Sequence, residues 1–300
     1  MILAVDASSF EQSLQLVPAV RALRTVYPNS YLVAATATGT CQLLGEARLV
    51  QETVDLGLLA ETSAFGASAS FKLFRHVRRL PIDLFIDFNP SLGTQLFARV
   101  LLRTRTIAAI TPADVIDAMI GRSLSLPRAR ERYLATLDRL DVSASGLKLC
   151  PPSRPEDNER FERFLSDSGF KGAEPLVLLY SRHHRHGWSV PMFADLSNRL
   201  ANNFGVRVVA ADEPGSIWFT AAAAPFLPGG AILLAQPDAL QFVAGIARST
   251  VVVTDSAAAS SIASELGTPR IDPTGKTVED VHGLVSEEIR ASRSESLFRR

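Results

Sequence analysis

Pro175–Leu200 reads PLVLLYSRHHRHGWSVPMFADLSNRL. Its first residues form an unbroken apolar run, the pattern of a strand covered on both faces. From Pro191 onward, Phe193, Leu196 and Leu200 recur at helical spacing. Between these segments, Arg182 to His186 packs three of the chain's five histidines and two arginines into five residues. Strand, polar loop and helix in that order are the repeating unit of a doubly wound α/β sheet.

The alternation continues on either side. Downstream come strand VRVVAAD, helix SIWFTAAAA, strand AILLA, helix ALQFVAGIA, strand STVVVTD and the small-residue helix start SAAASSIASEL. Upstream, helix ERFERFLSDSG precedes the quoted stretch. The first half carries strand patterns in MILAVD, SYLVAATA, LVQETVDL, PIDLFIDF and TIAAIT. Helical patterns fall in FEQSLQLVPAVRALRTVYP, stopped by Pro28, in TQLFARVLL and in RARERYLATLDRL. DVSASGLKLCPPSRPEDN is rich in Ser, Pro and Gly and reads as a linker, centred on Ser143 to Asn158. The spacing predicts two Rossmann-like domains, residues 1–150 and 151–300, with a cleft between them. The C-terminal helix around EDVHGLVSEEIRAS is a candidate to cross back to the first domain, and the tail SRSESLFRR is expected to fray.

Composition narrows the function. The chain is 47% hydrophobic and 21% charged, which suits a globular protein with a sizeable core. Formal net charge is zero, so nucleic acid is not an expected partner. Cys41 and Cys150 form no CxxC or paired spacing, which argues against a disulfide framework or zinc knuckle. MILAVDASS carries no basic n-region, so a signal peptide is not expected, and no uncharged apolar run reaches the length of a membrane span. A cytoplasmic monomer is expected. The basic segment FKLFRHVRRL, with Arg75, Arg78 and Arg79, reads first as a solvated helix face. It leaves open a peripheral contact with the inner membrane.

In doubly wound sheets, ligands sit beyond the carboxyl ends of the strands. Candidate ligand residues therefore follow the strands. Asp255, Ser256, Ala257, Ser260 and Ser261 open a helix with small side chains, where backbone N–H groups and the helix dipole favour a diphosphate. The plainer reading is an N-cap on Asp255 or Ser256. Ser181, Arg182, Arg185 and His186 could neutralise the same diphosphate. His183, His184 and His186 as a zinc site is disfavoured, because no carboxylate or cysteine lies in the segment. A solvated basic loop is the remaining alternative. Glu213, after VRVVAAD, is placed to accept from ribose hydroxyls, or else belongs to a solvated Asp/Pro/Gly turn. Trp188 is expected to anchor its loop beneath the following helix.

Taken together, these segments resemble the ADP-heptose:lipopolysaccharide heptosyltransferase family, glycosyltransferase family 9, over nearly the whole chain. The resemblance is carried by ILAVDASSFEQSLQLVPAVRALRTVYP with its Pro-Ala-x-Arg-Ala-Leu run at Pro18–Leu23, by IDLFIDFNPSLGTQLFARVL and by ERYLATLDRLDV. HGWSVPMFADLSNRL and VVVTDSAAASSIASELGTP extend it through the second half. It implies a GT-B fold of two Rossmann-like domains facing a cleft, the first on the acceptor side and the second binding the sugar nucleotide. It also implies inverting transfer from a nucleoside-diphosphate sugar of ADP-heptose type to a lipopolysaccharide, other glycan or lipid-linked acceptor, with no cofactor and no metal. The chain departs from the family at polar positions. Gln12 stands where the family has its proposed catalytic aspartate, His186 where it has a lysine, and Ala257–Ser261 lack its glycine and histidine. The ending is reduced to Asp272–Thr274.

Glu11 and Asp6 are the acids nearest the family's base position, and an amide cannot take a proton, so they are the candidate bases. Glu11 would need a locally rewound helix start to face the cleft. The alternative is a catalytically inactive sugar-nucleotide-binding or partner protein on the same fold. A sugar-nucleotide epimerase of the same fold is the weaker third reading, because this sequence shows no pair of cleft carboxylates with a supporting histidine.

Overall fold

The computed structural model describes residues 1–6, 9–56, 73–78, 80–89, 94, 97–98, 105–108, 129–143, 149, 154–172, 174–181, 188–214, 216 and 218–298. The chain divides into two compact units, Met1–Leu149 and Cys150–Arg300.

The first unit is built on strands β1 (Ile2–Val5), β2 (Leu32–Thr36), β3 (Glu52–Asp55), β4 (Leu84–Asp87) and β5 (Arg105–Ala108). They lie in the order β3-β2-β1-β4-β5, with every described pairing parallel. Among the described residues its helices include α1 (Phe10–Ser13), α2 (Leu16–Val26), α3 (Thr38–Glu46) and α4 (Ala129–Asp138). Leu3, Val5, Val33, Ala35, Phe85 and Phe97 pack into one core on one side of the sheet.

Two sequence expectations are corrected here. The single helix expected from Phe10 breaks at Leu14–Gln15. Pro18 is the reason: it has no N–H for the Leu14 carbonyl, and its ring would crowd that carbonyl. Val17 N–H bonds the Leu14 carbonyl instead, at 3.2 Å, and Pro18 sits in the first turn of α2. Helix α3 has no counterpart in the sequence reading. Its run, TGTCQLLGE, holds two glycines, two threonines and a cysteine, all weak helix formers. Burial of Cys41, Leu43 and Leu44 overrides that propensity.

The second unit comprises α5 (Pro155–Asp167), β6 (Leu176–Tyr180), α6 (Val190–Phe204), β7 (Arg207–Ala211), α7 (Trp218–Ala223), β8 (Ile232–Leu234), α8 (Ala239–Arg248), β9 (Val251–Thr254), α9 (Ala257–Leu266), β10 (Arg270–Ile271) and α10 (Val278–Phe298). Its sheet, again parallel, runs β10-β9-β6-β7-β8. Renumbered within its own unit, this is the same arrangement as the first sheet. Helix α5 starts inside the segment read as linker, because Pro155 takes the first helical position, where its missing N–H costs nothing. Gly205 ends α6 in the left-handed region at φ 57°. Asp238 and Gln241 form a reciprocal capping box at the start of α8. Val281, Val285 and Ile289, four residues apart on α10, belong to the core of this unit with Val177, Trp188 and Phe193. The helix considered a candidate for crossing back thus buries this face in its own unit, and its backbone is helical as far as Phe298.

Gly245 on α8 lets the helix approach β6 and α5 closely. A Cβ there would lie 3.3 Å from Leu178 Cδ1 and 3.3 Å from Phe161 Cζ, both in buried side chains. Gly245→Val is expected to cost about 1–3 kcal/mol by overpacking, read from the midpoint of a urea titration. An unchanged midpoint would contradict this packing.

Asp87 ends β4 wholly buried, and its Oδ1 accepts the Asn89 N–H at 3.2 Å. Burial, assisted by the nearby Asp6 charge, pushes its carboxyl up to about 7, against the pull of bonds from Thr94 and the Asn89 backbone. An unfolded aspartate titrates near ~3.9. Between there and about 7 the folded chain keeps a proton that the unfolded chain has released. Stability is therefore full below that window and falls as pH rises through it. Asp87→Asn keeps the acceptor oxygen and removes the charge. Its melting temperature is expected to exceed the parent's at pH 8 and to lose that advantage by pH 4.5. An offset that does not change with pH would refute the assignment.

Candidate functional site

In the second sheet the strand order reverses between β6 and β9, which makes their carboxyl ends the expected ligand crevice. β6 ends in Tyr180 and is followed by Ser181, both buried. Successive strand residues point to opposite faces, and these two reach different neighbours. The Tyr180 phenol donates to Glu213 Oε2 at 2.9 Å, beyond β7. The Ser181 hydroxyl donates to Asp255 Oδ2 at 2.9 Å, beyond β9. Burial holds the Tyr180 phenol well above the usual tyrosine range, aided by the Glu213 charge and hydrogen bond and by the Asp255 charge, with the Ser256 hydroxyl opposing.

Asp255 leads directly into α9. The N-cap is Ser256: its Oγ accepts the Ala259 N–H at 3.3 Å, and its own N–H donates to Thr254 Oγ1 at 3.0 Å. Of the two caps considered, Asp255 is turned instead toward Ser181. Ala257 is exposed, while Ser260 and Ser261 are half-buried. Their small side chains leave the first turn of the helix approachable, and its dipole favours an anion. Thr254 and Ser260 also line an adjoining groove of about 620 Å³ with Ser264, Arg270, Asp272 and Glu288.

Asp212 and Glu213 are adjacent in sequence and do different work. Asp212 is wholly buried, and its Oδ1 accepts the N–H groups of Phe219 at 2.7 Å and Thr220 at 3.1 Å, capping α7. The solvated-turn alternative therefore fails for Asp212. Glu213 is half-buried and tied to Tyr180. Arg182, Arg185 and His186, with His183 and His184, lie outside the described residues, so both the diphosphate and the metal readings of that loop fall there. Trp188, just after it, is buried. Its Nε1 donates to the Lys276 carbonyl at 2.8 Å, and its ring meets Phe193 of α6 edge-on at 5.3 Å.

In the first unit, Asp6 follows β1 and is wholly buried, its N–H held by the Ala35 carbonyl at 2.9 Å. Glu11 and Gln12 are half-buried on the single turn α1. The Gln12 carbonyl accepts the Tyr133 hydroxyl at 3.5 Å, and Ser13 Oγ lies 2.6 Å from Thr40 Oγ1 of α3. On the basic segment, Arg75 and Arg78 are exposed, and His76 Nε2 is 2.9 Å from Glu52 Oε2. Arg79 lies outside the described residues. No helix among the described residues is long and apolar enough to cross a membrane.

Sequence reading did not single out Tyr180 or Asp87. Tyr180 was absorbed into the apolar run PLVLLY, where the one phenol in an aliphatic strand was the available signal. Asp87 lies inside the apolar run PIDLFIDF, next to its last residue, Phe88.

No protein-family model matches the chain, and no curated protein does. Solved structures do. An E. coli heptosyltransferase with ADP-2-deoxy-2-fluoro heptose is 16% identical with a TM-score of 0.63, covering 95% of this chain and 99% of its own. E. coli ADP-heptose LPS heptosyltransferase II is 14% identical with a TM-score of 0.66, covering 97% of this chain and 99% of its own. A UDP-N-acetylglucosamine 2-epimerase is 14% identical with a TM-score of 0.51, covering 96% of this chain and 88% of its own. Identity this low speaks to architecture alone. With two sheets of the same doubly wound order, the chain has the GT-B fold, an α/β architecture of two Rossmann-like units that heptosyltransferases and sugar-nucleotide epimerases share.

Proposed function

We propose that the chain is an inverting glycosyltransferase of heptosyltransferase type. Its donor is a nucleoside-diphosphate sugar such as ADP-heptose, and its acceptor a lipopolysaccharide or other glycan. The observation that carries this reading is the switch point at the end of β6, where Tyr180 holds Glu213, Ser181 holds Asp255 and α9 begins on its Ser256 cap. A carboxylate suited to a ribose diol and a helix start suited to a diphosphate are the two recognition elements a nucleoside diphosphate requires. The GT-B relative whose structure contains an ADP sugar adds support for that donor class.

In the reaction, the acceptor hydroxyl loses its proton to a base while its oxygen attacks the anomeric carbon. The bond from that carbon to the diphosphate oxygen breaks, and the diphosphate leaves with the electron pair. The configuration inverts. Arg182, Arg185, His186 and the N–H groups of the Ala257–Ser261 turn stabilise the charge on the leaving group. No cofactor takes part. Of the two candidate bases, the wholly buried Asp6 is poorly placed to meet a substrate hydroxyl. Glu11, half-buried on the short helix that Pro18 separates from α2, is the better candidate.

The second reading, a binding protein without turnover, is favoured by one observation: Gln12 brings an amide to the position of the family's base. Calorimetric titration with ADP- and UDP-sugars, followed by a turnover assay, separates the two. The transferase reading expects binding and turnover. It also expects Glu11→Gln to lower the rate by on the order of a hundredfold with donor affinity kept. An active chain indifferent to Glu11→Gln would remove Glu11 as base. Binding without turnover, with activity gained in Gln12→Asp, would identify the inactive relative. A chain that binds no nucleoside diphosphate is not of this class.

A further inference from the structure

We infer that Tyr180 is a positioning residue, which holds the Glu213 carboxylate in the orientation that accepts the ribose hydroxyls of the donor. The inference rests on the proposed reading of this crevice as a nucleoside-diphosphate site.

Glu213 stands two residues past the end of β7. A glutamate there can adopt many side-chain conformations, and a diol acceptor must present its oxygens in one of them. Tyr180 limits the choice. Its ring is 2% exposed and sits edge-on to Phe242 of α8, with centroids 5.4 Å apart and planes at 84°. Its hydroxyl donates to Glu213 Oε2 at 2.9 Å. Since the ring has no room to swing, the phenol is a fixed point to which the carboxylate is tied.

The bond is compatible with ligand binding. A carboxylate has about four acceptor positions, and one phenol occupies one of them. The phenol keeps its proton, because burial and the Glu213 charge both oppose its ionisation. It therefore remains a donor throughout the neutral range. Tyr180 belongs to the central strand of the sheet, paired with β7 on one side and β9 on the other, so the orientation of Glu213 is tied to the sheet rather than to its own loop.

The test compares ADP and UDP with their 2′-deoxy and 3′-deoxy counterparts by calorimetry, on the parent, Tyr180→Phe, Glu213→Gln and the double variant. Tyr180→Phe keeps the buried ring and removes only the donor. The parent should prefer the ribose forms, and Tyr180→Phe should lower that preference about tenfold, the effect of one hydrogen bond to a charged group. The two single changes should be non-additive in the double variant. A merely structural tyrosine would lower the melting temperature and leave the ribose preference intact, which would overturn the inference while nucleoside-diphosphate binding stood. A parent that binds ADP or UDP without ribose preference would overturn it in the same way. A parent that binds neither would overturn the functional reading and this inference with it.

Discussion

Two parallel neighbouring strands cannot be joined by a tight turn, so the chain must cross over one face of the sheet between them. That constraint governs both units. It covers each sheet on both sides, which is why β1, β2, β6 and β9 are buried at every residue. It also delivers every strand-to-helix loop to the same edge. Because β4 returns beside β1, and β9 beside β6, the crossovers part at one point in each sheet. The side chains collected there come from segments far apart in sequence: Ser181 and Asp255 meet across 74 residues, Tyr180 and Glu213 across 33.

The two units use their strand-end acids differently. In the second, each carboxylate near the crevice has a donor aimed at it. Asp212 caps α7, Asp255 takes the Ser181 hydroxyl, and Glu213 takes the Tyr180 phenol. Acids held this way are fixed in orientation, which suits recognition of hydroxyl groups. In the first unit, Asp87 lies wholly buried with a second acid, Asp6, nearby, and its carboxyl is raised into the neutral range. An acid in that state carries a pH-dependent cost of stability rather than a fixed charge for a ligand. The contrast is in keeping with the proposal that the second unit takes the donor.

The departures from the heptosyltransferase pattern concentrate on polar side chains, while apolar positions persist. Trp188, Phe193, Leu196 and Leu200 are all buried in one core. Such residues are exchanged only at the cost of cavities or overpacking. The polar departures, Gln12 and His186, are not among these apolar positions. This is how a chain can keep an architecture across nearly its whole length at 14–16% identity.

Periodicity alone gave most of the described strands and helices and the order of the two units. Apolar runs and helical spacing are written locally, and burial on both faces of a parallel strand leaves little ambiguity. It also pointed to the loops after strands, and hence to Ser181, Glu213, Asp255 and Ser256. Only the tertiary structure decided what those residues do. The break before α2 depends on a carbonyl one turn before Pro18. Helix α3 exists because its weak formers are buried, and α10 adds its apolar face to the core of its own unit. The pairing of Tyr180 with Glu213 follows from β6 and β7 lying side by side, and the cap on α9 fell to Ser256 because Ser181 engages Asp255. Hydrogen bonds of this kind join residues by proximity in space, and nothing in the local sequence records which distant side chain will be near.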